Sequence, residues 1–366
     1  MADILREGFH QDIHRMSEIG MSTPKEFSRE DSMGFFDSYY DLTRPRRLIG
    51  PHRTTLPGSV SLRCRFCGRS SPQVSFGQET HVIPALMGNR ILFSNFECDD
   101  CNQRFGRMEK HLGAFMGLVK TLSLVKGRNG IASFRSRDTT FKIRAKATGE
   151  ITLECSNGDS RLLHDDENRR FIIGPVEGEP YAPENVYKAL TKAAVALLPE
   201  EELGNFPQTL QWLLQEQPSN TRSRLAIAKI LDPARAGLNR LGLKLRSRPV
   251  FRKTPPLLLS WFSVYLDPPG FPYITYLSGR RKNHNDRVPY MIFFIAFAKF
   301  SWQIYLPFSS QDYHLSISDL KKLPPFPGTI GTSNIKRYPL DLSDGKIQSG
   351  KQSVVLEYEK ESPYPP

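Results

Sequence analysis

Four of the five cysteines fall into two C-x-x-C pairs, Cys64 with Cys67 and Cys98 with Cys101, and 30 residues separate the pairs. Thiolates so spaced are the donor set that zinc takes in closed tetrahedral sites, since a two-residue gap lets each pair turn back on one ion. Closing the loop through such an ion fixes whatever lies between the hooks. Paired spacing and an odd total argue for metal binding in a reducing compartment rather than for disulfides. Inside or just after the loop stand three further polar residues with metal or acid–base chemistry: His81 in the run His-Val-Ile-Pro, Asn89 after Gly88, and Asn102 directly after Cys101.

The order of these landmarks resembles the zinc-stapled form of the HNH endonucleases, which carry a ββα-metal finger. That pattern is C-x-x-C, a His in an H-[IV]-[IV]-P context, a loop Asn, then C-x-x-C followed at once by His or Asn on a helix, and the match covers about residues 61–115. The resemblance implies metal-dependent hydrolysis of phosphodiester bonds in DNA, RNA remaining an open substrate. His81 would act as general base, its ordinary pKa of about 6.5 leaving neutral imidazole at cytoplasmic pH. Asn89, with Asn95 as the competing candidate, would orient the loop. Asn102 would reach a catalytic magnesium or manganese ion, while the four cysteines hold a purely structural zinc. Many members carry an acidic residue or His just before the base as a second metal ligand, where this chain has Thr80; Glu79, or Glu109 on roughly the helix face of Asn102, is expected to supply the carboxylate. Arg90, Arg104, Arg107 and Lys110 are expected to neutralise phosphates beside the scissile bond. Family analogy further suggests a bacterial or phage setting and defence against foreign DNA. The competing class is a non-catalytic zinc-containing nucleic-acid-binding protein.

The elements that must position these residues show in the patterning. The run that begins RFGRMEKHLGAF reads as a helix closing the zinc loop, and His111 on it as part of a solvated face. Residues 131–175 alternate at period two (Phe141, Ile143, Ala145; Ile151, Leu153, Cys155), as a small antiparallel sheet does, with Cys155 in a small apolar role. Tyr187, Leu190, Ala194 and Leu197 repeat at helical spacing before Pro199, in a stretch (residues 186–203) resembling a downstream helix of some bacterial HNH proteins. A second helical pattern covers residues 207–215. Two apolar runs flanking GRRKNHNDR read as a hairpin, the second as sheet core. Residues 222–253 hold ten Lys or Arg against Asp232 alone and fit a phosphate-binding helix face.

The chain of 366 residues is long enough for two or three compact domains, and 39% apolar with 11% aromatic residues excludes overall disorder. A net charge of +12 points to a polyanionic partner. The most apolar run, residues 288–298, is interrupted by Pro289, so no membrane span or membrane partner is expected, and without a secretory signal the protein reads as cytoplasmic. The expected class is α+β: a basic, partly flexible extension (1–60), an HNH module with structural zinc (61–118), a mixed α+β binding or regulatory region (119–323) and a loosely ordered tail (324–366). A regulatory protein partner or self-association would leave no readable motif.

Overall fold

The computed structural model describes residues 25–58, 62–156, 158–215, 256–263, 271–298, 300–327 and 334–357; the basic stretch at 222–253 lies outside them. The chain starts with β1 (Lys25–Ser28), α1 (Arg29–Tyr39), β2 (Tyr40–Leu42), β3 (Arg46–Leu48) and β4 (Thr54–Leu56). Then come β5 (Thr80–His81), β6 (Leu92–Ser94) and the long α2 (Asp99–Leu122), which together make a ββα unit around the cysteines. Short strands β7 (Lys126–Gly127), β8 (Gly130–Ile131), β9 (Phe134–Arg135), β10 (Lys142–Ala145), β11 (Ile151–Glu154), β12 (Leu162–Asp165) and β13 (Arg170–Glu177) lead to α3 (Pro183–Leu197) and α4 (Pro207–Leu214). The last part holds β14 (Leu258–Ser263), β15 (Phe271–Arg281), β16 (Met291–Ala298), β17 (Phe300–Tyr305), β18 (Asn334–Asp341) and β19 (Lys351–Glu357).

The α+β class is thus observed, with the zinc-type module built into a larger body. Eight strands form one sheet, in the order β1-β18-β14-β17-β16-β15-β2, with β3 also on β15. Its β15–β16 hairpin is the one expected from the two apolar runs. Strand β16 is buried on both sides, which explains its unbroken apolar sequence. Phe293, Ile295 and Phe297 join the core shared with the module, while Ile292, Phe294 and Ala296 pack with Phe36 and Tyr40 around α1. Among the described residues no helix is long and apolar enough to cross a membrane.

Two stretches differ from expectation. Residues 25–48, expected to be part of a basic extension, add three strands to the large sheet, and β4 pairs in parallel with β6 inside the module. Residues 334–357, expected to lie in a loose tail, contain β18, hydrogen-bonded to both β1 and β14, and β19, paired with β13. These strands gain their order from partners far away in sequence, which local composition does not reveal.

β19 also shapes α2. At Gly117 the backbone leaves the helix (φ 50°, ψ −131°), and the buried Gln352 side chain enters the gap. Its Nε2 donates to the Phe115 carbonyl (3.0 Å) and its Oε1 accepts from Leu118 N–H (2.9 Å), replacing the hydrogen bonds the kink breaks. A Cβ at position 117 would collide with the Gln352 amide. Gly117→Ala should therefore destabilise the protein by about 1–3 kcal/mol, measured by urea unfolding. In a Gln352→Ala background the added cost should shrink, because the collision is gone; an equal cost in both backgrounds would show that the side chain does not occupy the kink.

Candidate functional site

The first hook is a tight knuckle: Gly68 N–H returns to the Cys64 carbonyl (2.9 Å), Cys64 N–H to the Arg69 carbonyl (2.8 Å), and Gly68 takes the left-handed conformation (φ 70°) the turn requires. Cys98 and Cys101 form the second hook at the start of α2, with Cys98 as N-cap. All four sulfurs lie within 4.8 Å of one another. Cys67 Sγ and Cys98 Sγ are 3.8 Å apart. A tetrahedral ion with Zn–S bonds of about 2.3 Å needs sulfur–sulfur edges of about 3.8 Å. Hydrogen bonding from Cys101 draws the Cys64 thiol down against the effect of burial, while Cys98 is pushed up mainly by burial and Cys101 mainly by its hydrogen bond to Cys64, as expected where thiols crowd one point.

Next to this knot, β5 and β6 pair so that Thr80 faces Ser94 and His81 faces Phe93. Alternation along the strand turns the two side chains to opposite faces. Thr80 is fully buried and donates to the Ser94 carbonyl (2.6 Å), so it is turned away from the cleft, whereas His81 lines it. The His81 ring packs on Phe93 (4.6 Å between centroids), its Nδ1 is buried without a hydrogen-bond partner among the described residues, and its pKa is lowered to about 4. Burial is the main cause, helped by the positive charges of Arg128, Lys192, Arg90 and Arg53.

Asn89 organises the turn that brings β6 back along β5. Its Nδ2 donates to the Ile83 (2.7 Å) and Leu92 (2.8 Å) carbonyls, and its Oδ1 accepts from Leu92 N–H (2.9 Å) and Ile91 N–H (3.2 Å). Asn95, the competing candidate, is exposed. Asn102 lies on α2 at the cleft; its Nδ2 donates to Gln78 Oε1 (2.8 Å), leaving its oxygen without a protein donor among the described residues. Asp99 accepts from the backbone N–H groups of Gly77 (3.0 Å) and Gln78 (2.8 Å), fixing the segment that leads into β5.

The cleft, about 740 Å³, runs along α2. His81, Glu79, Asn102 and Glu109 line it, so the structure brings the expected base, the helix asparagine and both candidate carboxylates to one cleft. Glu79 is also ion-paired with Arg53. Glu109 has its carboxyl pKa raised by burial, an effect opposed by Lys192 and Arg128.

The expected phosphate contacts are not brought together. Arg90 donates to the carbonyls of Gly127 and Arg128, and Arg104 donates to the Leu214 carbonyl at the end of α4. Arg107 is exposed but does not line the cleft; of the four, Lys110 alone does. His111 is not simply solvated either: half-buried, it accepts the Ala182 N–H (3.1 Å) ahead of α3. Cys155 is half-buried against the core.

The side chain that the sequence reading missed is Lys192 of α3. It is 2% exposed, ion-paired with the fully buried Glu97 (3.0 Å), and donates to the His81 backbone carbonyl (2.6 Å). Burial pushes the Glu97 carboxyl up to about 7 against the pull of Lys192. In sequence Glu184, Lys188, Thr191 and Lys192 form one polar stripe that reads as a solvated face, whereas every residue from Val186 to Ala196 is buried, so the lysines among them have to be partnered inside the protein.

Residues 64–113 match the HNH endonuclease family. The match spans both hooks, His81, Asn89, Asn102 and Glu109, and the ββα unit just described is an HNH endonuclease module. No curated protein and no solved structure matches the chain. Downstream elements complete the HNH module: α3 holds the His81 carbonyl, and the β7–β8 hairpin closes one side of the cleft.

Purified protein should retain one zinc per chain by native mass spectrometry, and Cys98→Ser should lose it together with the cooperative melting of the module; a zinc-free, equally stable wild type would contradict the four-thiolate site. Lys192→Met, which strands a buried carboxylate, should cost about 3–5 kcal/mol in urea unfolding, and adding Glu97→Gln should restore part of that.

Proposed function

We propose that the protein is a metal-dependent HNH endonuclease that hydrolyses phosphodiester bonds in DNA, with His81 as general base. The observation that carries this reading is the convergence of His81, Asn102, Glu109 and Glu79 on one cleft within the family-matched segment. Asn102, through its free oxygen, and a carboxylate from Glu109 or Glu79 would hold the divalent ion, magnesium or manganese. The buried, unpartnered Nδ1 of His81 and the undonated oxygen of Asn102 fit a cleft built to receive such groups. When bound, the ion supplies Lewis-acid stabilisation of charge on the phosphoryl oxygens and on the leaving 3′-oxygen.

The chain's own residues then do the rest. Neutral His81 accepts the proton of the attacking water as the new P–O bond forms and the bond to the 3′-oxygen breaks. Its low pKa keeps the imidazole unprotonated in the free protein; a bound phosphodiester, being negative, raises its proton affinity at the step where a proton must be taken. Asn89 keeps the β5–β6 turn in register, and Lys192 holds the His81 backbone from behind. The zinc takes no part in the chemistry. Family resemblance extends the proposal to a bacterial or phage setting and to defence against foreign DNA. One observation favours the non-catalytic reading: Thr80, at the position where many members have a metal ligand, is turned inward.

Incubation with supercoiled plasmid and magnesium or manganese separates the two. The wild type should nick or linearise the plasmid, chelator should stop it, and His81→Ala should cut at least 100-fold more slowly, the lower range for loss of a general base. Because the pKa of His81 is lowered in the free protein, its basic form persists as pH falls from 6.5 toward about 4, so kcat/KM, which reports the free protein, should not decline near pH 6.5 as an unperturbed histidine would demand. Binding without metal-dependent cutting would instead support the non-catalytic protein.

A further inference from the structure

Beyond the segment matched by the HNH family, α2 continues past its kink and the chain returns as β7, β8 and β9 to form the rest of the cleft wall. Three cations from three of these parts line it: Lys120 near the end of α2, Arg128 in the turn between β7 and β8, and Arg135 in β9. Lys110 joins them from the first half of α2. We infer that this outer half of the cleft binds the phosphodiester backbone of the nucleic acid flanking the cleaved bond, with Lys120, Arg128 and Arg135 as its phosphate contacts. The inference rests on the nuclease reading for the identity of the ligand and extends it to residues outside the HNH module.

Pairing is what distinguishes these cations. The arginines that follow nearby in sequence hold carboxylates: Arg137 with Glu177 (2.7 Å), Arg144 with Glu154 (3.0 Å) and Arg161 with Asp159 (2.6 Å). Among the described residues Lys110, Lys120, Arg128 and Arg135 have no ion-pair or hydrogen-bond partner for their side chains. Glu179 lines the same end and attracts Lys120, and Glu109 attracts Arg128, while Glu79 is already paired with Arg53; Lys110 and Arg135 remain on the cleft lining without a carboxylate of their own. Like charges gathered on one concave wall repel each other, and a polyanion removes that cost.

Two further features suit a backbone rather than a small anion. The cleft face of α2 presents Gly106 and Gly113; a Cβ at Gly106 would meet nothing within 4 Å, and one at Gly113 only the ends of the Lys120 and Leu86 side chains, so a chain can lie close along the helix there. The hairpin carrying Arg128 is pinned in advance: Lys126 pairs with Ile131, and Arg90 holds the carbonyls of Gly127 and Arg128. Arg90, expected to meet phosphate itself, thus acts at one remove by fixing the hairpin that carries Arg128.

The test uses full-length His81→Ala protein, so that nothing is cut, titrated with labelled duplex DNA, single-stranded DNA and RNA of equal length over a series of salt concentrations. Replacing both exposed arginines (Arg128→Gln with Arg135→Gln) should weaken binding and reduce the slope of log K against log salt by about 1.8 on duplex or about 1.4 on a single strand. The matching Arg→Lys pair should keep the parent slope, which controls for folding. An unchanged slope and affinity in the Gln pair, with the parent still binding, would overturn the assignment of these residues and leave the nuclease reading intact. A parent protein that binds none of the three nucleic acids would remove the nuclease reading and this inference with it.

Discussion

A buried ammonium group must find its counter-charge and acceptors inside the protein, and Lys192 finds both in the HNH module. Its partners are the Glu97 carboxylate, one residue before the second zinc hook, and the backbone carbonyl of His81. Water cannot substitute for either at 2% exposure, so helix α3 and strand β5 have to stay together. The same helix is tied to the large sheet through Tyr187, whose hydroxyl donates to the Tyr305 carbonyl (2.7 Å). Its C-terminal carbonyls at Val195, Ala196 and Leu198 are in turn capped by Arg65, from inside the first hook. The region after the module is therefore part of the support of His81, and the zinc knot, α3 and the sheet form one continuous core.

Much of the site was legible because its constraints are local. A C-x-x-C knuckle needs only a short turn with a glycine after it, and Asn89 works by bonding to backbone within six residues of itself. The period-two alternation at Phe141, Ile143 and Ala145 does become β10, paired with β11, and the apolar run at 291–298 becomes the sheet's doubly buried β16. Strands held only by distant partners were not legible. β18 contains Pro339, a poor sign for a strand, yet β1 pairs only with Asn334 to Arg337, so Pro339 sits where β18 has a single neighbour. Gln352 likewise looks like an ordinary polar residue until the Gly117 kink supplies the two backbone groups it satisfies.

Charge was the least transferable signal. Net positive charge says that anions are attracted, but it does not say which cations remain available to meet them. Proximity in sequence to His81 and Cys101 selected Arg90 and Arg104, and both are engaged with carbonyl groups at the ends of other elements. Helix ends and tight hairpins leave carbonyls without intrachain donors, and a long guanidinium is well suited to reach them. The cations left facing the cleft come from α2, the β7–β8 turn and β9.

The kink in α2 connects these two observations. Up to Gly117 the helix carries Asn102, Glu109 and Lys110 along the cleft; after it, the last turn carries Lys120 and leads directly into the β7–β8 hairpin. An unkinked helix would continue its first-half direction, whereas the break re-aims the last turn and the hairpin that follows. Gln352 makes that break tolerable by satisfying the Phe115 carbonyl and the Leu118 N–H, groups that would otherwise be buried without partners. A residue near the end of the chain, on a strand paired with β13, thus helps set the shape of a cleft whose chemistry is encoded more than two hundred residues earlier. Long-range folding and the local motif are coupled at one glycine, and for that reason the HNH module cannot be understood as a unit that merely has another domain attached.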